Sequence, residues 1–228
     1  AAGKQKEGPQ LPGNLLVYAA CDEKSGAEAT IVVAGESRTA RVQGQPQWSE
    51  GKAGGAFQLA GGNYLDLGDV ASFERTEAFS YGAWIKPAGR PSGAFIARMD
   101  DNNGYRGFDL MGNGSGVAVH IISAWPTNAI KVNTKTPLKE NEWQHVFVTY
   151  DGSSKASGIN IYFDGQKQEW TIEQDRLSDS IRTDKPLCVG RRNPGAPAAG
   201  LIDEVRVYAR QLTEAEVQSL GGADPLGP

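Results

Sequence analysis

The sequence predicts an all-β chain folded as a two-sheet antiparallel jelly-roll sandwich with one short C-terminal helix. Three observations carry this. Short runs of alternating apolar and polar residues recur along the chain, as in Trp143-Gln-His-Val-Phe-Val-Thr-Tyr150 and Ile159-Asn-Ile-Tyr-Phe163, the period of strands packed on one face. Both runs end in Asp-Gly, at Asp151-Gly152 and Asp164-Gly165, the pair that most readily takes the positive φ of a tight turn. Glycine is abundant, 29 of 228 residues, which suits turns and disfavours long helices.

In order along the chain, Leu15-Leu-Val-Tyr-Ala-Ala20 reads as the first strand. Ala29–Ala34 and Ala40–Gln43 read as short edge segments around a polar loop, and Ala56–Leu59 with Tyr64–Leu67 as a glycine-hinged hairpin. A weak helical turn is expected at Asp69–Glu74. Phe79-Ser-Tyr-Gly-Ala-Trp-Ile-Lys86 places 79, 81, 83 and 85 on one face and Trp84 on the other, a strand covered on both sides. Further strands are expected at 94–98, 107–111, 117–122, 143–150, 159–163, 167–172, 187–190 and 201–208. Gly112-Asn-Gly-Ser-Gly116 is a turn between two of them. Thr213-Glu-Ala-Glu216 is a capping box that starts the helix, and Gly221 ends it. The domain is expected over 14–220, between polar linkers at 1–13 and 221–228 whose composition suggests a piece of a longer protein.

Composition excludes several function classes. With 23 basic and 27 acidic side chains the net charge is −4, and no basic stripe marks a nucleic-acid partner. No apolar run approaches the ~20 residues that span a bilayer, and the first ten residues lack a signal peptide's apolar centre. Cys21 and Cys188 allow one bridge in an exported protein or two buried thiols; unpaired thiols are the expectation.

No catalytic constellation is legible. A retaining glycosidase needs two carboxylates ~5–5.5 Å apart, which on a strand means acidic residues at i and i+2 or i+4. Asp203-Glu204 and Asp100-Asp101 are adjacent pairs instead. His120 and His145 have no neighbouring Ser or Cys nucleophile, and two histidines do not make a zinc site. His145 reads as a structural residue of a core strand. The expectation is therefore not an enzyme.

The informative polar cluster is Arg98, Asp100, Asp101, Asn102, Tyr105, Arg106 and Asp109, then His120, Trp125 and Asn128, then Arg191, Arg192 and Asn193. Planar cations, carboxylates and amides beside a tryptophan suit a sugar, whose hydroxyls need polar partners and whose C–H face needs an aromatic ring. The arginines add bidentate capture of carboxylate or sulfate. The competing reading is a solvated ion-pair network with Trp125 packed beneath its loop. Within Tyr105-Arg-Gly-Phe-Asp-Leu110, alternation sends Arg106 to the side of Phe108 and Leu110. Asp109 then stands solvent-accessible on the open face, beside Gly107, whose small size leaves room for a ligand.

As a set, the first strand with Asp22-Glu23, the Gly55–Leu67 hairpin, the Phe79–Pro87 strand, Asp203-Glu-Val-Arg-Val-Tyr208 and the terminal helix resemble the concanavalin A-like, laminin G-like family. Phe79–Trp84, Ala97-Arg-Met-Asp-Asp101, Tyr105–Asp109 and Trp125–Lys131 resemble the form embedded in large exported bacterial proteins with cytochrome c-like domains. The resemblance implies a non-catalytic binding module, most often for polysaccharide, in a periplasmic or secreted protein, with docking to neighbouring domains of the parent chain as the alternative. It also implies a structural Ca²⁺ held near Asp22 and Asp203. The family's usual Asp-Ser-Gly-Asn-Gly loop is absent here, and an Asp203 that merely ends its strand is the alternative.

Overall fold

A computed structural model describes residues 12–222. The expected linkers at 1–13 and 221–228 lie outside it, apart from residues 12, 13, 221 and 222. The strands are β1 (Leu15–Ala19), β2 (Glu28–Val33), β3 (Glu36–Gln43), β4 (Trp48–Glu50), β5 (Gly55–Ala60), β6 (Tyr64–Asp66), β7 (Phe79–Pro87), β8 (Ser92–Asp100) and β9 (Arg106–Asn113). They continue with β10 (Val117–Ala124), β11 (Asn128–Thr134), β12 (Gln144–Tyr150), β13 (Ile159–Phe163), β14 (Gln166–Lys167), β15 (Trp170–Asp175), β16 (Cys188–Val189) and β17 (Ala199–Tyr208). One helix, α1 (Glu214–Leu220), follows.

The strands pair antiparallel in a continuous array that doubles over into two layers. One layer runs β3-β6-β16-β8-β9-β10-β11-β15. In the other, β17 lies between β7 and both β1 and β5, and β7 leads on to β12, β13 and β14. The hairpin of β2 and β3 links the layers, turning on Ala34 and Gly35 at φ 49° and 83°. Both positive values fit a two-residue turn, so the expected edge segments are one full hairpin. Asp164 and Gly165, at φ 50° and 75°, turn β13 into β14 in the same way.

The inward faces bury the apolar half of each alternation. Phe79 and Tyr81 of β7 meet Phe108 of β9 at ring distances of 4.9 and 5.1 Å, and the Tyr81 hydroxyl donates to the Asp109 carbonyl across the layers at 2.8 Å. Each such ring contributes about 1.5–3 kcal/mol through burial. Asp69–Glu74 is not helical. Ala71 sits at φ 58°, outside the right-handed helical region, and the segment buries Val70, Ala71 and Phe73 against the core.

The two outer faces differ. On one, Val217 and Leu220 of α1 cover Phe147, Tyr162 and Tyr208. The capping box of Thr213 and Glu216 forms as the sequence predicts, and Gly221 is the C-cap. His145 lies in this layer, fully buried and stacked on Phe147, and burial pushes its pKa down to about 3, so it stays neutral. Both cysteines are buried free thiols, Cys21 just past β1 and Cys188 in β16. The other outer face, on β8–β11, carries the candidate site.

Candidate functional site

Because Phe108 and Leu110 point inward, Asp109 and Met111 point outward from β9. Register then lines up Ala97, Asp109, His120 and Lys131 across β8, β9, β10 and β11. Two loops rise above this row. The β8–β9 loop carries Tyr105, and the segment after β16 carries Arg192. They are tied together by Asp101, whose carboxylate accepts the Gly195 amide at 2.9 Å, and by the Asp101 amide, which donates to the Asn193 carbonyl at 2.8 Å.

Arg192 reaches down to the sheet. Its Nε donates to Asp109 Oδ2 at 2.6 Å, and its guanidinium lies 5.5 Å from the Tyr105 ring centre. Asp109 Oδ1 lies 2.7 Å from His120 Nδ1. Burial alone would raise the Asp109 pKa, but the facing His120 and Arg192 override it and hold the carboxyl below its ordinary range. An ionised Asp109 only accepts, so Nδ1 carries the imidazole proton and Nε2 is left for the cavity.

That cavity measures about 290 Å³. Trp125 forms one wall, edge-on to His120 at 6.0 Å, with the Lys131 ammonium 5.4 Å from its ring centre. The Trp125 amide donates to the Gly104 carbonyl at 2.8 Å, which anchors this wall to the β8–β9 loop. Met111, Ala118 and Ile122 supply the apolar surface and Asn113 a further amide. Lys131 is steadied by Glu173 at 2.7 Å. The cavity thus combines aromatic and apolar surface with a guanidinium, an ammonium and an imidazole acceptor, and no carboxylate among the described residues lines it.

Tyr105, His120, Trp125 and Arg192 therefore come together. Asp109 stands behind them, and two expectations about it are corrected. It is fully buried rather than solvent-accessible, because His120 and Arg192, which hydrogen-bond to it, also cover it. Gly107, at φ 131°, makes room for the neighbouring strand rather than a ligand: a Cβ there would collide with the Arg98 carbonyl.

The remaining expected residues are used elsewhere. Arg98 lies opposite Phe108, on the inner side, and donates to the Val70 and Thr183 carbonyls and to Asp69, each at 2.8 Å. Arg106 shares that side and donates to the Ser180 carbonyl at 2.8 Å. Asp100 accepts the Asn102 amide, and Asn128 holds the loop at Ser178 and Asp179. Arg191 points into a separate depression beside Tyr64. Lys131 and the apolar lining were not singled out from the sequence. The alternation of Ile130, Lys131 and Val132 opposite His120 was the available signal.

Asp22 and Asp203 flank the 51–55 loop. Asp203 Oδ2 accepts the Lys52 and Ala53 amides, and Asp22 Oδ1 accepts the Gly55 amide. Asp203 Oδ1 is buried without a partner, and burial pushes the carboxyl up to about 7. No group of three or more acidic, His or Cys side chains suited to a metal occurs among the described residues, so an ion here would draw most of its oxygens from backbone carbonyls.

Residues 59–218 match a family model described as the concanavalin A-like lectin/glucanases superfamily. Among solved structures, the binding domain of Paraclostridial Mosquitocidal Protein 1 superposes with a TM-score of 0.68 at 15% identity, over 91% of this chain and 52% of that one. This chain thus spans about half of that structure. Domain 4 of AbnA, a GH43 extracellular arabinanase from Geobacillus stearothermophilus, in complex with arabinotriose, gives 0.64 at 19% identity, over 92% of this chain and 98% of that one. A Trypanosoma rangeli sialidase in complex with 2,3-difluorosialic acid gives 0.60 at 15% identity, covering 92% and 33%. At these identities the likeness is one of fold.

Proposed function

Because this chain belongs to the concanavalin A-like lectin/glucanase superfamily in its laminin G-like form, we propose that it is a non-catalytic module that binds a carbohydrate. One observation carries the reading: the Trp125 cavity sets an aromatic wall beside His120, Lys131 and Arg192, while the buried carboxylate beneath it, Asp109, is spent on His120 and Arg192. Such a surface offers stacking for a sugar's C–H face and fixed partners for its hydroxyls. Lys131 and Arg192 extend the ligand class to acidic glycans. The arabinotriose-bound domain, spanned over 98% of its length and part of an extracellular enzyme, supports a module of a larger exported bacterial protein.

A glycan array tests this. The chain retains a defined glycan set, and Trp125→Ala loses it. A blank array with the folded chain overturns the reading in favour of a module that docks on neighbouring domains.

We also propose a structural Ca²⁺ beside Asp203 and Asp22. The supporting observation is the buried, unpartnered Asp203 Oδ1 next to a glycine-rich loop. Bound there, the ion would supply a counter-charge for the two carboxylates and tie the 51–55 loop to β17.

A further inference from the structure

Arg191 and Arg192 are consecutive, yet they serve different depressions. Arg192 enters the Trp125 cavity and is neutralised by Asp109. Arg191 enters a second depression of about 300 Å³, shared with Tyr64, Asn102, Lys185, Asn193 and Pro194. Its guanidinium is held from two sides: Nε donates to the Arg192 carbonyl at 2.9 Å, and the plane lies 4.8 Å from the Tyr64 ring centre. Its two terminal nitrogens have no carboxylate within ion-pair distance among the described residues, in contrast to Arg98 and Arg192. Lys185 adds a second cation, only loosely offset by Asp100 at 3.9 Å and Asp184 at 3.7 Å. A guanidinium fixed in orientation, with its outer edge unused, is a receptor for a planar or tetrahedral oxyanion.

The two depressions share their walls. The β8–β9 loop gives Asn102 to one and Tyr105 to the other, and the segment after β16 gives Arg191 to one and Arg192 to the other. The ridge between them is the Asp101–Gly195 tie.

We propose that the Arg191 depression is a binding site for a carboxylate or sulfate group, and that one acidic glycan spans it and the Trp125 cavity across this ridge. The spanning part rests on the carbohydrate reading above; the oxyanion part does not. It gives neighbouring arginines two separate tasks, one building the sugar cavity and one reading charge on the next part of the chain.

The oxyanion part is tested by NMR titration of the whole chain with sodium sulfate against sodium chloride at matched ionic strength. Saturable shifts of the Arg191 Nε–H and the Asn102 and Lys185 amides are expected with sulfate, lost in Arg191→Ala and weakened several-fold in Arg191→Lys. Shifts that do not saturate, or that persist unchanged in Arg191→Ala, overturn it. The spanning part is tested on the glycan array. Acidic glycans held by the chain bind at least tenfold more weakly to Arg191→Ala, while the melting temperature is unchanged. Retention of neutral glycans alone, or of acidic ones equally by Arg191→Ala, overturns the span and leaves the carbohydrate reading standing. A blank array overturns both the carbohydrate reading and the span, and leaves the sulfate titration to decide the oxyanion site.

Discussion

The Asp109 carboxylate and the His120 imidazole meet at 2.7 Å across adjacent strands, eleven residues apart in sequence and directly opposed in register. The pair sits on the outer face of its sheet yet is closed off by Arg192, which contacts both. A buried anion is thereby answered by two donors, one of which keeps its second nitrogen for the cavity.

Replacing Asp109 with Asn leaves Arg192 without its counter-charge in a buried setting. The expected cost is about 3–5 kcal/mol, read from urea unfolding. In the parent chain the Asp109 carboxyl is held below its ordinary value. Its contribution is therefore complete above about pH 4 and is lost as pH falls through the lower native value. Asp109→Asn flattens that acid limb; an unchanged limb would show that the pair is energetically silent.

Glu216 ties the helix start to Arg210 and to Thr213. The Arg210 hydrogen bond lowers its pKa to about 2, against the opposing effect of burial. A depressed carboxyl stabilises above its unfolded value, ~4.3, and that stabilisation disappears as pH falls toward about 2. Amide exchange in α1 is expected to quicken over this window, and Glu216→Gln to remove the dependence. Thr213→Ala costs about 1 kcal/mol, measured by thermal unfolding.

Gly107→Ala puts a methyl group against the Arg98 carbonyl at a φ of 131° that L-residues rarely adopt. Destabilisation of more than about 1 kcal/mol is expected. A neutral result in equilibrium unfolding would mean that β8 and β9 adjust freely.

Calcium binding at Asp203 predicts a higher melting temperature in millimolar Ca²⁺ than in chelator. The stabilisation at ~100 Kd is about 2.7 kcal/mol. Asp203→Asn is expected to abolish the difference. Coinciding melts for the parent chain sink the site.

What the sequence determined by itself is most of the strands (β4 and β11 were not among those expected from it), their turns and which side chains share a face. These are local: a period of two assigns faces, Asp164-Gly165 turns where L-residues resist, and Thr213 with Glu216 caps within one helical turn. Alternation was enough to put Asp109 opposite in sense to Phe108; that His120 stands beside it follows from the pairing of β9 with β10. Alternation was not enough to say what covers that face. Arg192 lies 83 residues from Asp109 and arrives through a loop pinned by Asp101. The division of Arg191 from Arg192, the inward turn of Arg98, the neighbour that claims the space at Gly107 and the burial of Asp109 are all consequences of that docking. Only the tertiary structure decided them, because a side chain's exposure depends on segments that its own neighbours in sequence do not specify.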